Sequence, residues 1–126
     1  MSGDMQFHCT IVNSTNGTMT LVGSPSASSG HAATAPTTIA KGATAKFSAL
    51  GTDGTMTGAV GSFEYTLDDA SIWKFTYDIP YSGSNSGSVG YVKGGSAGSW
   101  TVTNSPASFP SGDSVSVTTT FTGPNN

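Results

Sequence analysis

The chain has 126 residues; only 9% are charged, and its four basic residues are all lysines, giving a formal net charge of -3. That length suits a single domain, residues 1–126, with a core of its own, and the charge balance offers no basic patch for nucleic-acid phosphates or strongly anionic lipid. The polar surface must then be built from Ser, Thr, Asn and Gly, which sit well on the pleat of antiparallel β structure.

Gln6–Asn13 alternates, with Phe7, Cys9 and Ile11 on one face of a half-buried strand. Cys9, the single cysteine, has no internal disulfide partner and is expected as a buried, inert thiol. Ser14–Gly17 is a turn cluster, and Thr18–Gly23 resumes with Met19 and Leu21 in phase, so the two segments read as a β-hairpin. The formal glycosylation sequons Asn13-Ser14-Thr15 and Asn16-Gly17-Thr18 belong to that turn. Ser24–Pro36 has neither period and reads as an exposed loop. Thr37–Ile39 is a short strand, Lys41-Gly42 a turn, and Ala43–Leu50 a strand with Ala45, Phe47 and Ala49 on one side. Asp53-Gly54 is a strong hairpin dipeptide.

Thr57–Gly94 holds the longest alternating runs. Gly58–Thr66 sets Phe63 and Tyr65 on one face, and the turn at Asp68-Asp69 leads into Ser71–Asp78. There Trp73, Phe75 and Tyr77 share a face, which a chain poor in large apolar residues needs for its core. The run ends in Ile79-Pro80-Tyr81 and opens into a polar loop, Ser82–Ser88. Ser88–Val92 and Ser99–Thr103 are further strands, Asn104–Asp113 is a loop, and Ser114–Phe121 closes the alternation. Eight to ten short strands with frequent turns and no helical period predict an all-β fold, an antiparallel sandwich or barrel.

Chemistry is sparse. His8 falls on the exterior face of its strand and His31 in the Ser/Gly-rich loop, so neither is set up for a Ser-His-Asp arrangement. Two distant histidines and one cysteine make a poor metal set, and no glycine pattern for nucleotides follows a strand and opens a helix. The expectation is a protein that is not an enzyme and takes no metal or cofactor. Binding has more support: Pro80 and Tyr81 leave a strand, the loop after them supplies hydroxyls, an amide and glycines, and Tyr91 follows. Tyrosines and backbone donors hold a small polar group without net charge. A plain Ser/Gly hairpin loop has the same composition.

The run Thr57-Gly58-Ala59-Val60-Gly61, an acidic turn, an aromatic strand ending Ile79-Pro80-Tyr81, then Ser84-Asn85, Val89 and Lys93-Gly94 resembles the actinoporins, cytolysins of sea anemones. The same region, from Gly61-Ser62-Phe63-Glu64-Tyr65 to Tyr77-Asp78-Ile79-Pro80-Tyr81-Ser82-Gly83-Ser84, resembles the aegerolysins of fungi and bacteria. Length, acidic balance and strand order from Gln6 onward favour the aegerolysins. Both resemblances imply a compact antiparallel β-sandwich that recognises sphingolipid headgroups at membranes, in aegerolysins sometimes with a larger pore-forming partner. They carry Pro80 and Tyr81 into a headgroup loop, with Asp78 where actinoporins place a small hydroxyl residue. Where actinoporins cluster Trp and Tyr after the proline, this chain has Ser82, Gly83, Ser86 and Gly87. The expected ligand-binding set is Asp78, Pro80, Tyr81, Ser84, Asn85 and Tyr91.

The leading expectation is therefore a lipid-headgroup-recognising protein that does not form pores alone. A lectin is the alternative, since the actinoporin fold also occurs in fungal fruit-body lectins, and a structural protein without a specific ligand is a third reading. MSGDMQF has no export-signal pattern and no apolar run reaches membrane-helix length. A cytoplasmic or non-classically secreted protein, peripheral to membranes when bound, is expected. Edge strands with little charge make a homo-oligomer plausible.

Overall fold

The alternating runs fold into two β-sheets packed face to face. The computed structural model describes residues 5–51, 58–80, 83–106 and 109–124, so the predicted Asp53-Gly54 turn and Tyr81 lie outside the described residues. The strands are β1 (Gln6–Thr15), β2 (Met19–Leu21), β3 (Ser26–Ser29), β4 (His31–Thr34), β5 (Thr38–Ile39), β6 (Thr44–Leu50), β7 (Ala59–Thr66), β8 (Ile72–Ile79), β9 (Ser86–Lys93), β10 (Thr101–Ser105) and β11 (Ser114–Gly123). One sheet runs β10-β11-β1-β6-β4; the other runs β5-β2-β7-β8-β9, with β3 also paired to β7. The predicted sandwich is thus present, and it is antiparallel except for the parallel pair of β1 with β11.

Two local expectations are overturned. The first two strands do not form a hairpin: β1 pairs with β11 and β6, whereas β2 crosses to the other sheet and pairs with β5 and β7. The cause is Asn13, fully buried at the end of β1. Its Nδ2 donates to the carbonyls of Gly17 (2.9 Å) and Ile39 (2.8 Å), while its Oδ1 accepts from the Thr15 amide and hydroxyl. An Asn side chain that replaces backbone partners in this way redirects the chain. It also leaves the first sequon's amide enclosed. The second correction is Ser24–Pro36, which contains β3 and β4. Both are short and mostly exposed, so main-chain pairing does most of the work of holding them and no apolar period marks them.

The core is an aromatic layer. Phe7 and Phe47 of one sheet face Phe63, Phe75 and Tyr77 of the other, with ring centroids 3.8 Å apart for Phe47–Phe63 and 4.7 Å for Phe7–Tyr77, while Phe63 and Phe75 stack within their own sheet at 4.6 Å. Trp73 meets Phe121 edge-on at 5.6 Å. Such pairs add about 0.5–1.5 kcal/mol each beyond the area they bury. Trp73, Phe75 and Tyr77 are all buried, as the alternation predicts, and so is Cys9. Burial pushes the Cys9 thiol up to about 12, against a lowering contact with Thr119, which keeps it protonated and inert.

One end of the sandwich is closed by a carboxylate. Asp69, in the turn between β7 and β8, accepts hydrogen bonds from the Ser71 amide (3.0 Å), the Ser96 amide (2.8 Å) and the Trp100 indole N–H (3.1 Å). The turn thereby ties itself to the segment between β9 and β10. Partial desolvation pushes this carboxyl up. The bonds from Ser71, Ser96 and Trp100 outweigh it and leave the group at about 2, below its ordinary 3.8. Because the folded value is the lower one, the stabilisation is complete above pH 4 and is lost as pH falls through 3.8 toward 2. Asp69→Ala, which removes three hydrogen bonds, two of them from part-buried donors, is expected to cost roughly 1–3 kcal/mol in urea unfolding followed by tryptophan fluorescence at pH 7. The gap between variant and wild type should shrink at pH 2, and a constant gap across that range contradicts the assignment.

Candidate functional site

At the opposite end of β8 the chain turns at Pro80 and re-enters the sheet as β9 at Ser86. The segment before β9 is fastened to the loop before β11 by one side chain. Asn85 Nδ2 donates to the carbonyls of Pro110 (3.1 Å) and Gly112 (2.8 Å). The Gln6 amide donates to the Asp113 carbonyl at 2.7 Å, which anchors the far end of that loop to β1. Gly112 sits at φ +106, a conformation that side-chain-bearing residues rarely adopt. Between the two segments lies a concavity of about 360 Å³, walled by Pro80, Ser84, Asn85, Phe109, Ser111 and Asp113 among others.

Phe109 is the side chain that sequence reasoning did not connect to this place. Its ring lies over Gly87 of β9, where a Cβ would come within 2.3 Å of the ring, and it stacks on Phe7 with centroids 6.0 Å apart. Two signals in the sequence pointed this way. Phe109 is a lone large apolar residue in a Pro/Ser/Gly loop, and Gly87 interrupts a strand pattern, which often marks a close approach by another part of the chain. An aromatic ring additional to Tyr81 is thus supplied from a different loop.

Of the expected residues, Pro80, Ser84 and Asn85 come together in this concavity. Tyr81 lies outside the described residues. Asp78 lies on the outer face of β8, between Val60 and Ser86 in the register, and lines a separate shallow groove with Thr76, Ser86 and Ser88. Tyr91 is not brought to the others. It pairs in register with Trp73 near the far end of β9, packs edge-on against that indole at 5.7 Å, and donates its hydroxyl to the Gly94 carbonyl at 3.0 Å.

Among the described residues the concavity therefore offers hydroxyls, an acidic residue and an aromatic residue, and no lysine lines it. Such a lining accommodates a group bearing positive charge together with hydrogen-bond acceptors, and disfavours a purely anionic one. No cluster of three His, Cys, Asp or Glu able to hold a metal occurs among the described residues.

The model of the aegerolysin family matches residues 12–122. The chain belongs to the aegerolysin family. Of the two families that Thr57–Gly94 resembles, this is the one matched. Three solved structures share the fold. IP-1A from Alcaligenes faecalis is 18% identical with a TM-score of 0.81, the alignment covering 98% of this chain and 94% of that one. The lipid-binding protein Nakanori is 15% identical with a TM-score of 0.81, covering 94% and 71%. RahU, solved in complex with a Tris molecule, is 14% identical with a TM-score of 0.80, covering 99% of each chain. No curated protein matches the sequence.

In this aegerolysin Asn85 is the strap that keeps the two walls of the concavity together. Asn85→Ala releases the Pro110 and Gly112 carbonyls at a cost of about 1 kcal/mol, since both can turn to water. The expected signature is local: faster amide hydrogen exchange at Ser111 and Gly112, with the Phe63 and Phe75 amides unchanged. Uniformly faster exchange across the sandwich contradicts a local strap.

Proposed function

We propose that this aegerolysin docks on membranes by holding the headgroup of a zwitterionic sphingolipid in the concavity between Pro80, Ser84 and Asn85 on one side and Phe109–Asp113 on the other. The observation that carries the proposal is the lining itself, where Phe109 and Asp113 stand among neutral hydrogen-bonding residues without a lysine. A quaternary or primary ammonium is attracted to the face of an aromatic ring by about 0.5–1 kcal/mol at an exposed site, and a carboxylate adds to that attraction. The phosphate of the same headgroup takes hydrogen bonds from hydroxyls and backbone N–H groups. Nakanori, which shares the fold, is described as lipid-binding, and RahU holds Tris, an amino-triol; both sit well with this ligand chemistry.

In this proposal the protein is a recognition component, peripheral to the bilayer, and permeabilisation requires a larger partner. No helix among the described residues is long and apolar enough to cross a membrane. Perforation by this chain alone is checked by dye release from loaded vesicles, where release without a second protein defeats this part of the proposal.

Co-sedimentation with vesicles tests the site. Binding is expected to sphingomyelin-containing vesicles and not to phosphatidylglycerol vesicles. Asp113→Asn should weaken it about fivefold, corresponding to ~1 kcal/mol. Phe109→Ala should weaken it at least as much, with circular dichroism confirming the fold of both. Wild-type affinity in both variants removes the concavity as the site. Binding to a glycan array with no vesicle binding replaces the lipid by a sugar.

A further inference from the structure

A second, apolar space adjoins the concavity. Between the two sheets, on the side where β9 and β10 are the edge strands, a crevice of about 60 Å³ is floored by Phe7, Cys9 and Phe75 and walled by Val89, Val117 and Phe109. Phe109 lines both spaces, so the polar chamber and the apolar one meet at this residue. The polar atoms at the crevice floor are already engaged with one another. The Thr119 hydroxyl donates to Asn104 Oδ1 at 2.8 Å, and the Cys9 sulfur lies 3.9 Å from the same hydroxyl. Thr76, Ser88 and Asn104 also line the crevice, the first two with their hydroxyls 2.8 Å apart. A lining that is mainly carbon, with polar groups largely bonded to one another, accepts hydrocarbon. Its size is decisive about the occupant. One water needs about 10–15 Å³, and a cavity that holds benzene measures about 150 Å³. The crevice therefore has room for the end of one alkyl chain and not for a ring or a pair of chains.

We propose that the crevice beside Phe109 takes the alkyl end of a single-chain amphiphile whose zwitterionic headgroup occupies the neighbouring concavity. This rests on the headgroup proposal and extends it, because a monomeric single-chain lipid then becomes a ligand in its own right, apart from the bilayer. The neutral Cys9 thiol, held protonated by burial, behaves as part of the apolar wall. Phe109 is the specificity-determining residue, since it faces the headgroup on one side and the chain on the other.

The test is a chain-length series of phosphocholine, butyl-, hexyl- and octylphosphocholine, each kept below its aggregation concentration. Affinity is measured by calorimetry, and the Asn85 side-chain amide and the Val89 and Val117 methyls are followed by NMR. The expected result is that all four shift the Asn85 amide. Only the longer alkyl compounds should shift the two valines, with affinity rising about fourfold for each methylene that enters and levelling once the crevice is full. Val117→Phe should abolish the chain-length dependence and leave phosphocholine binding intact. Should that variant fail to fold, the valine shifts of the wild-type protein decide alone. Binding of phosphocholine with no gain from the chain, or with unshifted valines, overturns this inference and leaves the headgroup site standing. Absence of binding by every compound removes both.

Discussion

The aromatic contact between the two sheets is the constraint on which the rest of the molecule depends. With only 9% charged residues and 17 glycines, the chain has few other groups large enough to fill the space between sheets. Phe47 on Phe63 and Phe7 on Tyr77 set that spacing, and Phe63 on Phe75 joins neighbouring strands within one sheet. Phe7 then extends the layer outward by stacking on Phe109. The candidate site is thus the end of the core, and its aromatic wall is positioned by packing, in a loop with few other apolar side chains.

Where the core stops, individual polar side chains do the work that ion pairs perform in more charged proteins. Asn13 turns the chain from one sheet to the other, Asp69 closes the β7–β8 end, and Asn85 fastens the two walls of the concavity. Each accepts or donates several hydrogen bonds to backbone groups that would otherwise depend on water. Such bonds are less sensitive to salt than surface ion pairs. The exception in pH sensitivity is Asp69, whose role requires its charge.

The sandwich and most of its long strands were legible because their alternation is driven by one buried face; β6, β7, β8 and β11 lie close to where the periodicity puts them. The strands that escaped, β3 and β4, bury almost nothing, so their side chains carry no periodic signal. Adjacency in sequence suggests a β1–β2 hairpin that the structure does not form. The buried amide of Asn13 has no signature that separates it from an ordinary turn asparagine. Half of the candidate site was legible, since Pro80, Ser84 and Asn85 follow one another along the chain. The other half, Phe109 to Asp113, comes from a loop with no pattern of its own, and only tertiary packing brings it there. Tyr91 was grouped with these residues by its nearness in sequence, whereas a strand rising about 3.3 Å per residue carries it toward the other end of the sheet.

The parallel pairing of β1 with β11 bears on how this protein can be made. The first and last strands lie side by side inside one sheet, so contacts such as Cys9 with Thr119 join residues 110 positions apart. Closing a contact of that span delays folding relative to local pairings. A ribosome-bound chain lacking β11 leaves Phe7, Cys9 and Ile11 beside an unfilled place, and the sheet is divided from β10 at that gap. One edge of β1 therefore stays unpaired in a nascent chain until β11 has been made and docked. Such an edge is open to aggregation.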